Sequence, residues 1–349
     1  MGLYSNELYK EDINNIVGLN LCWETIAGKT FLISGATGLV GSFLVDVLLS
    51  MDNGSVIYAL SRNEQRAKAR FSKWINDPRF VYISHDINKP LIVENVKTID
   101  YVFHMASNTH PIQYSTDPIG TITTNVIGLQ NMLEFALSHQ SRRFVFASSN
   151  EIYGENRGDV EFFEEDYCGY INSNTMRAGY PESKRCGEAL CQAYRAQRGL
   201  DVIVARLTRS YGPTMLTDDT KAISQFIRKA INREDIVLKS AGNQYYSYTY
   251  VADAVSGLLY CLLNGENGEA YNIADERSDI TLKDLASIAA RITGGQIVFE
   301  FPDSIEGAGY SKATKARLDG NKLKNLGWEA QYDIQSGMER TIRILSSDG

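Results

Sequence analysis

Between Thr30 and Arg206 the chain alternates short runs of β-branched and aromatic residues with longer stretches of helical character. Runs at 30–34, 56–60, 80–84, 101–105, 144–147 and 202–206 predict strands, and the segments 39–51, 63–75, 119–138 and 180–199 predict helices. Each helical segment is long enough to serve as the crossover that parallel strands require, so the pattern predicts an α/β fold: a doubly wound parallel sheet covered on both faces. After Arg206 the rhythm breaks. A loop at 210–219 leads to a helix near 222–231, and later segments mix strands with helices at 251–263 and 282–292. The expected organisation is a helical extension over residues 1–27, a sheet domain over 28–206 to which 250–275 returns, and a smaller mixed α/β substrate-binding lobe from 207–249 and 276–349.

Composition bounds the function. A chain of 349 residues with 44% hydrophobic and 22% charged residues is a folded protein of one core or two lobes. Lys plus Arg total 35 against 42 for Asp plus Glu, a formal charge of -7, which argues against a nucleic-acid footprint or a polybasic membrane surface. The first ten residues lack the apolar core of a signal peptide, and no stretch approaches the roughly 18 apolar residues of a spanning helix. A cytoplasmic protein with no membrane partner is expected. Its five cysteines include no C-x-x-C pair, so neither a disulfide framework nor a metal site is expected.

The segment 31–41, Phe-Leu-Ile-Ser-Gly-Ala-Thr-Gly-Leu-Val-Gly, sets Gly35, Gly38 and Gly41 between the first strand and the first long helix. Glycine permits the tight turn, lets backbone N–H groups approach a pyrophosphate, and lets the helix pack close to the sheet, with the phosphate at the positive end of the helix dipole. A glycine triplet also occurs in ordinary turns, but its place at the opening of the first βαβ unit favours dinucleotide binding and a Rossmann-like sheet. Gly35, Thr37, Gly38, Leu39, Val40 and Gly41 form the candidate cradle. The second strand is followed by Ser61-Arg62-Asn63 rather than by the acid that usually holds the adenosine ribose of NAD. Arg62 suits a 2′-phosphate, so NAD and NADP both remain open. Asp86 and Ile87 after the third strand are candidates for the adenine, and Met105, Ala106 and Ser107 after the fourth are candidates to line the dinucleotide, with His104 in a structural role.

In Gly-Tyr-Pro-Glu-Ser-Lys, 179–184, Tyr180 and Lys184 lie four positions apart on one face of a helix. A phenol with an ordinary pKa near 10 is a poor base at neutral pH unless a cation stabilises its anion, and Lys184 can supply one. The fifth strand runs into Ser-Ser-Asn-Glu-Ile-Tyr-Gly, 148–154, at the edge where such sheets bind ligands. Ser149 is placed there to hydrogen-bond a substrate hydroxyl whose proton Tyr180 removes.

These motifs, in this order, resemble the extended short-chain dehydrogenase/reductase superfamily, the NAD-dependent nucleotide-sugar epimerases, dehydratases and decarboxylases. The resemblance runs from Gly28 to about Trp328 and includes Asn125 in Thr-Asn-Val-Ile-Gly, Tyr211-Gly-Pro, Tyr-Val-Ala-Asp253, and Arg317-Leu-Asp before Leu-Gly-Trp328. It implies a bound nicotinamide dinucleotide contacted also by Asn125, oxidation of a sugar carbon (usually C4), a second step on the ketone, and reduction again. Ser149 and Tyr180 would then handle the C4 hydroxyl, with Lys184 on the nicotinamide ribose. A homodimer through the helices at 119–138 and 180–199 is likewise implied.

The second step turns on Asn150-Glu151. Dehydratases of this superfamily carry Asp-Glu there, and an amide cannot be the general acid that expels the C6 hydroxyl. Epimerases tend to have small or hydroxyl residues at both positions. UDP-glucuronate decarboxylases look closer, pairing a polar non-acidic residue with a glutamate, so Glu151 joins the catalytic candidates, and Ser107 and Asn150 are candidates on the sugar. Arg177 and Arg317 are each candidates to hold a carboxylate or phosphate by a bidentate fork. Two departures stand out: the family usually has Asn where Arg209 stands and Arg where Tyr246 stands, so Arg209 and Tyr246 are candidates at the diphosphate. The expected activity is a UDP-glucuronate decarboxylase-like one on a nucleotide sugar. A 4-epimerase, a dTDP-glucose-type 4,6-dehydratase and, remotely, a non-catalytic dinucleotide-binding regulator are the alternatives.

Overall fold

The computed structural model describes residues 2–94, 96–109, 111–300 and 314–346. Its strands begin with β1 (Thr30–Ser34), β2 (Val56–Ser61), β3 (Phe80–Ser84), β4 (Tyr101–His104), β5 (Arg143–Ser149), β6 (Val202–Leu207), β7 (Arg209–Tyr211), β8 (Ile236–Leu238), β9 (Tyr245–Tyr250) and β10 (Ala270–Ile273). Seven of these make one sheet in the order β10-β6-β5-β4-β1-β2-β3, every pair parallel. β1, β4 and β6 are buried almost end to end, as strands covered on both faces must be. The helices are α1 (Glu7–Val17), α2 (Leu39–Ser50), α3 (Glu64–Arg70), α4 (Pro111–Thr116), α5 (Pro118–Ser138), α6 (Gly179–Arg198), α7 (Ala222–Ile231), α8 (Val251–Asn264) and α9 (Leu282–Thr293), of which α7 and α9 pack on each other and on β8 rather than on the large sheet.

Local chemistry sets the helix ends. Asp117 caps α5, its carboxylate accepting from the Gly120 N–H at 3.0 Å with Pro118 in the first turn, and α6 stops at Gly199, which takes the left-handed conformation at φ +69°. α3 is shorter than the 63–75 expected. At Phe71 the backbone leaves the helical region (φ -105°, ψ 26°), and turns carry Trp74 inward, where its indole N–H donates to Asp46 at 2.9 Å.

Strand order reverses between β1 and β4, and the loops that follow them part, opening a crevice at the carboxyl edge of the sheet. Over that edge stand smaller elements: β9 with β7, β11 (Asp279–Thr281) and β13 (Lys315–Ala316), and the pair of β8 with β12 (Ile297–Phe299). β9 leads without a break into α8, whose following strand β10 closes the end of the large sheet.

The N-terminal extension is tied to the far end of the chain. Asp12 of α1 is fully buried and accepts from the Tyr250 hydroxyl at 2.5 Å, the Tyr332 hydroxyl at 2.8 Å and Arg340 Nε at 2.8 Å. Removing one member of a buried charged cluster strands the others. Asp12→Ala is therefore expected to lower the unfolding free energy by about 3 kcal/mol, read as a fall in the urea midpoint at unchanged slope.

Candidate active site

The crevice is a cavity of about 1210 Å³ that takes residues from the glycine segment, the ends of β2 to β6, α6, α7 and β9. Pockets for drug-sized ligands measure about 300–1,000 Å³, so there is room for an extended ligand or two. On the β1 side the glycine segment forms its floor. Gly35 has φ +71°, and a Cβ there would lie 2.8 Å from the Ala106 nitrogen; at Gly41 it would lie 2.4 Å from the Gly35 carbonyl oxygen. No side chain caps α2, so the N–H groups of its first turn are left for a ligand. These features fit a pyrophosphate. Thr37, Gly38, Leu39 and Val40 line the same floor, Arg62, Asp86 and Ile87 the far end, and Met105, Ala106 and Ser107 the wall after β4.

Opposite the floor, β5, α6 and the short turns that follow the one and precede the other bring five polar side chains together. Ser149 ends β5 buried, its hydroxyl accepting from the Glu151 N–H at 3.2 Å as a short 3-10 turn, Asn150–Tyr153, begins. Glu151 receives one nitrogen of Arg177, Nη2, on both carboxylate oxygens at 2.8 Å, while the buried Arg177 Nε has no partner. Tyr180 and Lys184 face the cavity from the first turns of α6. Burial, and after it the Glu151 charge, push the Tyr180 phenol up to about 12, against the pull of the Ser149 hydroxyl, Arg177 and the Tyr114 hydroxyl. Burial brings Lys184 down to about 8, with Glu188 one turn away opposing, and its Nζ donates to the Ala147 carbonyl at 2.8 Å.

Arg209 enters from β7, which pairs with β9 outside the large sheet. Its guanidinium lies 3.5 Å from the centre of the Tyr246 ring, its buried Nη1 has no hydrogen-bond partner, and no carboxylate among the described residues is ion-paired with it. Three other cavity cations are engaged: Arg66 with Asp218 at 3.3 Å, Lys221 with Asp219 at 3.1 Å and Arg177 with Glu151.

Two expected site residues lie elsewhere. Asn125 is buried behind the wall, accepting from the Ser107 hydroxyl at 2.7 Å and donating to the Ser183 hydroxyl at 2.9 Å, so it positions Ser107 and α6 rather than facing the cavity. Arg317 lines a separate small groove, paired with Glu161 at 2.9 Å and lying on Phe162 and Tyr245, because β13 docks on β9 and carries the next side chain to the outer side. His104 is likewise internal: Nδ1 meets the Ser34 hydroxyl at 2.8 Å, and burial lowers its pKa to about 3, leaving it neutral.

Tyr114 was not legible in advance. It stacks on Tyr180 with ring centres 4.7 Å apart, and the Arg177 guanidinium lies 4.6 Å from its own centre. The one available signal was an aromatic residue between Pro111 and Pro118, in the connection after β4 at the ligand-binding edge.

Comparison with known proteins agrees with this geometry. Residues 31–274 match the profile of the NAD dependent epimerase/dehydratase family, and the chain belongs to it. It is 33% identical over 317 residues to UDP-glucuronic acid decarboxylase 5 of Arabidopsis thaliana, covering 90% of this chain and 89% of that one. Against UDP-glucuronic acid decarboxylase 1 of Danio rerio it is 32% identical, covering 92% and 73%. The fold matches that of UDP-glucuronic acid 4-epimerase from Bacillus cereus in complex with UDP-glucuronic acid and NAD, with a TM-score of 0.80 at 21% identity over 92% of this chain and all of that one. It also matches dTDP-glucose 4,6-dehydratase from Streptomyces venezuelae, with a TM-score of 0.79 at 24% identity, covering 91% and 97%.

The relay through Asn125 should be measurable. Asn125→Ala leaves the buried Ser183 hydroxyl and the half-buried Ser107 hydroxyl each short of a partner and is expected to cost about 2 kcal/mol of stability in urea unfolding. It should also weaken dinucleotide affinity, read by calorimetric titration, through the loosened Ser107.

Proposed function

We propose that the protein is an NAD-dependent enzyme that acts on a nucleotide sugar through transient oxidation at C4 and removes the C6 carboxylate, the reaction of a UDP-glucuronate decarboxylase. One observation carries this reading: Ser149, Tyr180, Lys184 and the Glu151–Arg177 pair share one wall of a single cavity whose floor suits a pyrophosphate. The amide of Asn150 beside Glu151 speaks against expulsion of a C6 hydroxyl, since it has no proton to give at neutral pH. The decarboxylase relatives add weight.

When bound, the nicotinamide supplies the two-electron oxidation of C4 and its reversal. The chain's own residues do the rest. Gly35, Gly38, Gly41 and the first turn of α2 hold the pyrophosphate, with Thr37, Leu39 and Val40 beside it; Asp86 and Ile87 border the adenine, and Met105, Ala106 and Ser107 the opposite wall. Ser149 hydrogen-bonds the C4 hydroxyl, Tyr180 takes its proton, and Lys184 holds the nicotinamide ribose and favours the tyrosinate. A 4-ketone makes the C6 carboxylate that of a β-keto acid: the C5–C6 bond breaks, carbon dioxide leaves, and the electron pair is delocalised onto the C4 oxygen beside Ser149 and Tyr180. C5 then takes a proton from water in place of the lost carboxylate, and the proton held by Tyr180 goes back to the C4 oxygen as the ketone is reduced. Arg177, with its unpartnered Nε, is the carboxylate-facing cation, and Arg209 on Tyr246 is the cation for the nucleotide diphosphate.

We also propose a homodimer through α5, where Ile119 and Ile122 stand 75% and 42% exposed. A cytoplasmic location accords with five unpaired cysteines, three of them exposed. No helix among the described residues is long and apolar enough to cross a membrane.

Incubation with NAD and a panel of UDP-, dTDP-, CDP- and GDP-sugars, followed by mass spectrometry, tests the reaction. UDP-glucuronate is expected to lose carbon dioxide. An unchanged mass with inverted C4 would mean epimerisation instead, and loss of water dehydration. Tyr180→Phe should retain the dinucleotide and lose turnover, whereas a non-catalytic regulator would be indifferent to it.

Lys184 gives a pH-resolved check. Its pKa in the folded protein lies below 10.5, so the folded state resists its charge at every pH below about 8, and the penalty disappears as pH rises from 8 to 10.5. Lys184→Met is therefore expected to abolish turnover yet raise the unfolding free energy at pH 7 by roughly 1–3 kcal/mol. That gain should shrink above pH 8 in denaturant titrations.

A further inference from the structure

We propose that the adenosine end of the cavity is built for a 2′-phosphate, so that this chain binds the 2′-phosphorylated dinucleotide at least as tightly as NAD itself. The inference rests on the dinucleotide half of the preceding reading and is independent of the sugar chemistry. β2 is locked beside the glycine segment: the Ala36 N–H donates to the Leu60 carbonyl at 3.2 Å, and the His85 N–H to the Ser61 carbonyl at 3.1 Å. A pyrophosphate at the start of α2 therefore sets its adenosine ribose against residues 61–66. In an NAD-selective site a carboxylate there accepts the ribose 2′-hydroxyl.

Neither of the nearby cavity carboxylates, Glu64 and Asp86, is without a partner. Ser61 is buried and its hydroxyl meets the Tyr82 hydroxyl at 3.2 Å; the Asn63 side chain caps α3 through the Arg66 N–H at 2.9 Å. Glu64 turns along its helix to Lys68, 2.8 Å away, and Asp86 accepts from the Asn88 N–H at 3.1 Å. What faces the cavity mouth is guanidinium. Arg62 lines it with no ion pair or hydrogen bond among the described residues, and Arg66 is held only by the exposed Asp218 at 3.3 Å. A phosphate dianion arriving there finds an unpaired planar fork in Arg62 and a second, weakly held one in Arg66. An unphosphorylated 2′-hydroxyl finds no dedicated acceptor.

The test is calorimetric titration of the full chain with ADP-ribose and 2′-phospho-ADP-ribose at two salt concentrations. The phosphorylated ligand is expected to bind at least as tightly as the other and to weaken more steeply with salt. Arg62→Asp, at an exposed position, should weaken it by roughly tenfold to a hundredfold while changing ADP-ribose by less than about threefold, with Arg62→Lys in between. A wild-type preference for ADP-ribose of about tenfold or more, or equal losses of both ligands in Arg62→Asp, overturns the inference and leaves the dinucleotide reading standing. If neither ligand binds, both fall.

Discussion

The close approach of two backbones at Gly35 is the constraint on which the site depends. β1 ends where the segment after β4 crosses it, and with φ +71° and the Ala106 nitrogen 2.8 Å from where a Cβ would sit, any larger residue would push the two apart. Ser34 fastens the crossing. Its hydroxyl accepts from the Met105 N–H at 3.2 Å and the Ala106 N–H at 3.3 Å and meets the neutral His104 ring at 2.8 Å. Gly41 does the same for α2, drawing its first turn onto the loop. The floor of the cavity, the start of α2 and the wall that carries Ser107 all follow from this one knot.

Across from it the electrostatics are set against spontaneous chemistry. Burial holds the Tyr180 phenol up at about 12 and Lys184 down at about 8, so the side chains alone leave Tyr180 protonated at neutral pH. Glu151 adds to the opposition, and Arg177, clasping both of its oxygens, reduces it. Glu188 works from behind: it supports the charge of Lys184, accepts from the Ser148 hydroxyl at 2.5 Å next to Ser149, and is held by Arg206 at 2.7 Å. Lys184 and the end of β5 are thus tied to one buried network.

How far this was legible depended on how local each feature is. The glycine segment, the four-residue spacing of Tyr180 and Lys184 and the serines ending β5 are properties of single elements, and reading the period of each element located them. Arg317 sits beside a motif as clear as these, yet its direction depends on which side of β9 the strand β13 docks, a tertiary choice that no local period records. Asn125 could be assigned to the right neighbourhood but not to the right face, because its amide is consumed by Ser107 and Ser183 from two other elements. Tyr114 lies on a six-residue helix with no pattern to read, and only packing sets it against Tyr180.

Arg209 and Tyr246 show how a cation rooted on one strand can be set over its neighbour. β7 and β9 run parallel with Arg209 opposite Tyr248, and Tyr246 is two residues earlier on the same face of β9, a diagonal neighbour within reach of a long side chain. The Arg209 guanidinium accordingly comes to rest 3.5 Å from the Tyr246 ring centre, where the aromatic face offsets part of its desolvation. A cation rooted on β7 thereby occupies the space over β9, and because its Nη1 is buried without a partner, the lowest-energy completion of that corner of the cavity is an anion.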